Sequence, residues 1–161
     1  MGFIWSKPSP LRESLLPDGP TVLCRIGDLL LVPYSDLEVT LNTEPWKHVA
    51  LFVSTSKLFL HGQLVSTNLL FDEHDILCMR QLNCERPLGF EKKFVNAVAA
   101  SMSKSYDQAP EYRDGFEIAY VLYLMGFIKE ENIHELHAGH FSNEMPYKKL
   151  QLDMYSENVY L

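Results

Sequence analysis

The chain has 161 residues, 47% of them hydrophobic, and a formal net charge of −7 at pH 7. A chain of this length buries roughly 70% of its unfolded surface as a single domain, and a single domain is what we predict. The acidic balance argues against nucleic-acid binding, because nucleic-acid-binding proteins normally present a basic face.

The three cysteines, Cys24, Cys78 and Cys84, are odd in number and lack CxxC spacing. They indicate neither a disulfide framework nor a zinc site, and they favour a reducing compartment such as the cytoplasm. No apolar run approaches the ~20 residues that a transmembrane helix needs. We therefore predict a cytoplasmic domain without metal or cofactor, associated with membranes only through an attached lipid.

Residues 1–20 are predicted to form an N-terminal leader. The first six residues, Met-Gly-Phe-Ile-Trp-Ser, match the N-myristoylation pattern with Gly2 as the acceptor. A start codon followed by a disordered apolar hexamer explains these residues equally well, and a second, basic membrane signal is missing. A short helix is predicted over residues 11–16.

The predicted domain, residues 21–161, begins with strands. Gly27 and Asp28 form a turn before the apolar run 29–32, which Pro33 ends. Such a short continuous apolar run is typical of a strand that is buried on both faces.

The stretch 44–61 is predicted as a hairpin, with a β-rich run at 49–53, a polar turn, and a second run that ends before His61. His48 precedes the first run, so a histidine stands at the outer end of each strand. Two histidines on adjacent strands can lie within hydrogen-bond distance, as a base and its orienting partner require. The alternative is that each histidine merely caps a strand edge.

Further strands are predicted at 63–66 and 76–82, and their short connections indicate an antiparallel meander. A helix is predicted at 92–103, and a second, almost fully buried helix at 114–127 ends at Gly126. The predicted buried face of the first helix carries Phe94, Val95, Val98 and Met102. The predicted fold is therefore α+β, with an antiparallel sheet of five or six strands packed against the buried helix.

The start of the second helix, Asp114-Gly115-Phe116-Glu117, has the pattern of a capping box, in which Asp114 accepts a backbone hydrogen bond and Glu117 reaches back. A helix N-terminus also lowers the pKa of a thiol placed there. Gly115 occupies the predicted first turn, where glycine costs up to ~1 kcal/mol relative to alanine. Either close packing excludes a side chain at this position, or a functional side chain has been lost.

The residues that carry a family resemblance lie in four segments, 27–32, 45–53, 115–120 and 124–127. Together they resemble the circularly permuted papain-like superfamily of thiol hydrolases, which includes NlpC-type and YiiX-type hydrolases, poxvirus relatives and, more remotely, lecithin:retinol acyltransferase. In that group a catalytic histidine heads a strand, a polar residue ends the next strand, and the nucleophilic cysteine opens a buried helix. The resemblance implies His48 as the base, His61 as its orienting residue, and Gly115 at the position of the cysteine.

Without a thiolate at the helix start, His48 has no proton to accept. We therefore predict a catalytically inactive papain-like domain with a cleft beside His48 and Trp46 that binds a lipid or acyl chain, a peptide or a protein, with Asp114 and Glu117 as further binding residues. One alternative is a cysteine amidase, esterase or acyltransferase whose nucleophile has been replaced at position 115. Another is a structural component of a larger assembly. Asp114 could act as an acid–base partner of His48, although a helix-capping role is a sufficient explanation for it.

The last third of the chain holds His134, His137 and His140, each three residues from the next. Zinc sites prefer other spacings, and Gly139 disfavours a continuous helix. This segment is predicted to be irregular and solvated.

The lipid anchor at Gly2 can be tested directly. Protein made in a eukaryotic host should lose Met1 and carry a myristoyl group on Gly2, which intact-mass spectrometry would detect. Gly2→Ala should then release the protein from membranes in a flotation assay, because the acyl chain supplies the binding energy. An unmodified N-terminus in that host would contradict the anchor.

Overall fold

The computed structural model describes residues 14–15, 21–22, 24–34, 46–54, 56–68, 77–107, 110–129, 136–142 and 152–160. Their elements, in chain order, are β1 (Ser14–Leu15), β2 (Thr21–Val22), β3 (Leu29–Pro33), β4 (Trp46–Phe52), β5 (Lys57–Leu60), β6 (Gln63–Ser66), β7 (Cys78–Arg80), α1 (Phe90–Ser103), α2 (Pro110–Leu124), a 3₁₀ helix (Ala138–Phe141) and β8 (Val159–Tyr160). Gly2 lies outside the described residues.

Six of the strands form one antiparallel sheet in the order β6-β5-β4-β3-β7-β8, and β1 pairs with β2 separately. Strands β3 to β6 are neighbours in chain order, as a meander requires, whereas β7 pairs with the other side of β3. The predicted α+β class, with an antiparallel sheet and helices after the meander, is confirmed. No described helix has the length and hydropathy that crossing a bilayer requires.

The central strands are buried on both faces, which explains their nearly continuous apolar sequence. Side chains on one face share a core with both helices, and those on the other face form a second buried cluster. The first set includes Leu29, Leu31, Val49, Leu51 and Phe59, together with Phe94, Phe116 and Val121 of the helices. The second set includes Leu30, Val32, Ala50, Phe52 and Leu58.

The Asp28 carboxylate is fully buried at the start of β3 and connects the chain before this strand to the chain after β7. It accepts hydrogen bonds from the backbone N–H groups of Arg25 and Leu82, and the Arg86 guanidinium forms an ion pair with it at 3.1 Å. Burial raises the pKa of Asp28 to about 6, against the lowering effect of these donors. The guanidinium also donates to the Ile26 carbonyl, so the ion pair joins the chain before β3 to the chain after β7.

Arg80 of β7 joins the C-terminal part of the chain to the sheet. Its buried guanidinium donates to the carbonyl oxygens of Phe141 at 2.8 Å and Ser156 at 2.7 Å. Because Phe141 ends the 3₁₀ helix and Ser156 precedes β8, this side chain fixes both segments against the same strand.

The helices depart from the sequence prediction in two respects. On α1, Val95 and Met102 are exposed while Ala97 and Ser101 are buried, since the helix packs along a stripe shifted by one position. Helix α2 begins at Pro110, so Asp114 lies in its second turn and the predicted capping box at Asp114 is wrong. A proline suits the first helical position because its missing N–H would have no partner there.

The predicted stop of α2 at glycine is confirmed. Gly126 has a φ of 80°, and the N–H groups of Phe127 and Gly126 donate to the carbonyls of Leu122 and Tyr123. These two bonds are those of a Schellman motif.

The predicted short helix over residues 11–16 is wrong for its described part, since Ser14–Leu15 is a strand paired with β2. A six-residue helix offers too few hydrogen bonds to offset its nucleation cost. Strand β7 is shorter than predicted, and β8, which the weakly alternating C-terminal sequence did not predict, pairs with it.

Candidate functional site

The two histidines occupy defined positions at the same end of adjacent strands. His48 is the third residue of β4, opposite Val32 of β3, and His61 directly follows β5. The antiparallel pairing of β4 with β5 joins Leu51 to Phe59 and Phe52 to Leu58, a register that places His48 and His61 at the same end of the two strands. His61 has a φ of 55°, a left-handed conformation that is uncommon for a residue with a side chain.

Asp114 of α2 bridges the two histidines. His48 Nδ1 lies 2.7 Å from one carboxylate oxygen and His61 Nδ1 lies 2.8 Å from the other. The two rings meet edge to face with centroids 4.5 Å apart, and Asp114 is the hydrogen-bond partner that they share. Because an ionised carboxylate only accepts, each neutral ring donates through Nδ1–H and keeps its lone pair on Nε2. We call these three residues the His–Asp–His cluster.

The electrostatics of the cluster follow from burial and from these hydrogen bonds. Burial raises the pKa of Asp114, but the hydrogen bonds from His48 and His61 outweigh it, so the net pKa lies below its usual range. The hydrogen bond to Asp114 raises the pKa of His61, although partial burial opposes it. The cluster therefore favours an ionised Asp114 beside a His61 that protonates readily.

Glu117 lies one turn after Asp114 and supports the turn that holds His61. Its carboxylate accepts a hydrogen bond from the backbone N–H of Gly62, whose φ is 72°. Burial, and then the charge of Asp114, raise the pKa of Glu117. The predicted binding residue Glu117 is itself buried, and its contact positions the His61 loop.

Gly115, the predicted position of the missing cysteine, faces away from the histidines. A Cβ built on Gly115 would overlap the carbonyl oxygen of Leu136 and lie 2.9 Å from the Leu136 Cβ. The close packing of α2 against the segment before the 3₁₀ helix therefore explains the glycine. The side chain that α2 directs at His48 belongs to residue 114, one position earlier than the resemblance implied.

Trp46, the other predicted binding residue, belongs to the core. Its ring is 3% exposed and stacks on Tyr160 of β8 with centroids 6.2 Å apart. Its indole Nε1 has no hydrogen-bond partner among the described residues. Trp46 thus fastens the start of β4 to the sheet edge, and its contact with a ligand stays a prediction.

None of the three cysteines, all of which are described, belongs to the His–Asp–His cluster. Cys24 packs in the cluster on the second face of the sheet, and Cys78 lies in β7. Burial raises the pKa of the Cys24 and Cys84 thiols, which suppresses the reactive thiolate. The described part of the site therefore has no thiol nucleophile.

The segment of His137 and His140 is ordered by contacts with α2, and the prediction of a solvated segment is wrong for His140, which is buried. The backbone N–H of His137 donates to His140 Nδ1 at 3.0 Å, closing the 3₁₀ turn. The His137 ring meets Tyr112 of α2 edge to face at 4.8 Å. His134 lies outside the described residues.

No known protein family, curated protein or solved structure matches the chain. Its function has to be inferred from the site itself.

The cluster offers two kinds of chemistry. Each histidine can accept a proton at Nε2, with Asp114 orienting the ring as a carboxylate does in a His–Asp dyad. The same three residues also offer one ligand atom each within 4.8 Å of one another, which suits a metal ion. The sequence suggested Asp114 as a possible acid–base partner of His48, but its contact with both histidines was not predicted.

Replacing Gly115 should reveal the close approach to Leu136. Gly115→Ala should lower the free energy of unfolding by about 1–3 kcal/mol in urea titration, because the added methyl group overlaps a backbone carbonyl. Helix propensity alone predicts a gain of up to ~1 kcal/mol from the same change. The reverse substitution on the exposed face of α1, Ala100→Gly, calibrates that propensity effect. A stabilised Gly115→Ala variant would contradict the close approach.

The cluster should make stability depend on pH. The raised pKa of His61 stabilises the fold fully below the unfolded histidine pKa of ~6.5, and this contribution is lost as pH rises through the folded pKa. His61→Asn, which tolerates the positive φ, should therefore cost more stability at pH 6 than at pH 9, by about 0.5 kcal/mol for a half-exposed ring.

In an Asp114→Asn background, the difference between the two pH values should shrink, because the hydrogen-bonded carboxylate is gone and only the weaker effect of the Glu117 charge remains. Urea titrations at both pH values give the four differences. An equal cost of His61→Asn at pH 6 and pH 9 in the unchanged chain would exclude the ionic contact.

Proposed function

We propose that the chain is a papain-like binding domain without a thiol nucleophile, in which the His–Asp–His cluster lies at the ligand site. The observation that supports this most directly is the Asp114 carboxylate, hydrogen-bonded to His48 at 2.7 Å and to His61 at 2.8 Å. In the papain-like group, a residue on a buried helix faces a histidine on a strand. Here α2 and β4 supply such a pair, with aspartate in place of cysteine.

Catalysis of the papain type needs a thiol or hydroxyl nucleophile that gives its proton to the base. Asp114 is ionised beside the two rings and has no proton to give, and both its oxygens accept hydrogen bonds from imidazole. Neither Asp114 nor a described cysteine therefore offers His48 a proton to accept. Ligand binding can use the same geometry and does not require a nucleophile.

The ligand side of the cluster is formed by the outer edges of the imidazole rings. The His48 side chain is 25% exposed and that of His61 47% exposed, so their Nε2 atoms can accept hydrogen bonds from a bound molecule. The proposed ligands are a lipid or acyl chain, a peptide or a protein surface. A myristoyl group on Gly2 would place the domain at a membrane, where acyl ligands are concentrated.

The alternative of a thiol enzyme with its cysteine replaced at position 115 is less compatible with the packing. A cysteine there would direct its Cβ at the backbone of Leu136 and not at His48. A thiol enzyme with its cysteine at position 115 would require the 136–142 segment to move away from α2.

Asp114→Cys tests the papain-like geometry. The new thiol should have a pKa below the ~8.5 of a free cysteine and react with iodoacetamide faster than Cys24, Cys78 or Cys84, because it lies beside two imidazoles. Mass spectrometry of alkylated peptides measures all four rates in one sample. His48→Ala in the same background should slow the reaction at residue 114. An unactivated thiol that is indifferent to His48→Ala would contradict the resemblance.

The unsubstituted chain provides the functional control. It should show no iodoacetamide-sensitive turnover of lauroyl thioesters, p-nitrophenyl esters or peptides, since no thiol lies at the cluster. Titration with dodecanoate, an unstructured peptide or phosphatidylcholine vesicles should shift the ring-proton NMR signals of His48 and His61 for the matching ligand class. Thiol-dependent turnover, or unchanged ring signals with every probe, would contradict a binding role.

A further inference from the structure

We propose that His48, His61 and Asp114 bind a divalent first-row transition metal ion, with Zn²⁺ as the representative. This inference rests on the same cluster as the proposed function but needs neither the papain-like resemblance nor an organic ligand. Two imidazoles and one carboxylate are a donor set that zinc and iron(II) sites use with three protein ligands. The site should bind Mg²⁺ and Ca²⁺ weakly, because these hard cations prefer oxygen ligands and two of the three ligands here are nitrogens.

The geometry requires only a small adjustment. The ligand atoms lie within 4.8 Å of one another, and the two hydrogen bonds to Asp114 measure 2.7 and 2.8 Å. Ligands of a tetrahedral zinc ion at about 2.0–2.1 Å stand about 3.4 Å apart. The two hydrogen bonds reach different oxygens of Asp114, so one imidazole has to shift towards the oxygen that binds the metal. The most widely separated ligand atoms have to approach by up to roughly 1.4 Å, a change that side-chain rotations supply.

Coordination also balances chemically. In each neutral imidazole the proton on Nδ1, which is donated in the hydrogen bond to Asp114, is replaced by a proton on Nε2, and the freed Nδ1 lone pair binds the metal. The carboxylate exchanges its two N–H donors for the cation. No oxidant, reductant or further reactant is needed.

The charge of the site also favours a bound cation. Asp114 is buried, and its ion-pair partners among the described residues are His48 and His61, neither of which is permanently charged. The other carboxylate of comparable burial with a described ion pair, Asp28, has the permanent cation of Arg86. Two permanent cations lie nearby but affect other groups: the charge of Arg113 lowers the pKa of Glu117, and the charge of Lys47 lowers the pKa of His61. A bound divalent ion would give Asp114 the cation that Arg86 gives Asp28.

The backbone supplies an independent observation. His61 has a φ of 55°, and residues with a side chain that adopt this unfavourable left-handed conformation concentrate at functional sites. The hydrogen bond from Gly62 to Glu117 holds this conformation. The turn thus keeps the His61 ring at Asp114, while its 47% exposure leaves room for water ligands on the metal.

The experiment is a titration of the chelator-treated full chain with Zn²⁺ in an isothermal calorimeter, and with Co²⁺ in a spectrophotometer. We expect one Zn²⁺ per chain with a Kd in the micromolar range or tighter, a rise in Tm on adding Zn²⁺, and no competition from a large excess of Mg²⁺. Co²⁺ should give ligand-field bands without the sulfur charge-transfer band that binding at the cysteines would produce.

Single variants assign the ligands. His48→Gln, His61→Asn and Asp114→Asn should each weaken Zn²⁺ binding at least 100-fold, more than the 10–100-fold typical of residues behind the ligands. His137→Gln, a histidine outside the cluster, is the matched control and should bind Zn²⁺ like the unchanged chain. Nitrogen NMR of the histidine rings in the unchanged chain reports coordination even where a variant fails to fold. Zinc bound with a stoichiometry well below one, or binding unaffected by His61→Asn, would overturn the metal site.

Failure of this inference and failure of the proposed function give different results. Zn²⁺ binding without an activated thiol in Asp114→Cys would support the metal site and reject the papain-like geometry. An activated thiol without Zn²⁺ binding would do the reverse.

Discussion

The buried Asp28 carboxylate is the constraint on which the arrangement of the sheet depends. It lies at the start of β3, the strand between β4 and β7. It accepts hydrogen bonds from the backbone N–H of Arg25, before β3, and from that of Leu82, after β7. The Arg86 guanidinium neutralises it and holds the Ile26 carbonyl as well. A buried charge without such partners is strongly unfavourable, so the register of these segments is fixed together.

The second buried aspartate, Asp114, has the opposite character. Its partners are two imidazoles, whose charge depends on pH and which can exchange a proton for another cation. Asp28, paired with a permanent cation, has a structural role, whereas the surroundings of Asp114 can change when protons or ligands bind. Gly115, the next residue along α2, lets the helix approach Leu136 closely because it has no side chain.

Local sequence was sufficient for the elements that depend on the chain's own neighbours. The apolar run after Gly27 predicted β3, the hairpin that carries His48 and His61 followed from two β-rich runs around a polar turn, and Gly126 predicted the end of α2. The α+β class followed from their order. These features depend on backbone preferences and on short-range hydrogen bonds, which adjacent residues determine.

The contacts of Asp114 were decided only by the tertiary structure. From the sequence, Asp114 was predicted as a helix cap, since an aspartate three residues before a glutamate has that local pattern. The fold starts α2 four residues earlier and turns the carboxylate toward two histidines 66 and 53 positions away in the chain. The burial of His140 and the pairing of β8 have the same origin, because each depends on a distant partner. The sequence by itself determined the central strands β3 to β6 and the presence of the two helices. Which polar side chains share a buried space depended on how those segments pack, because that packing is set by long-range contacts that no local pattern encodes.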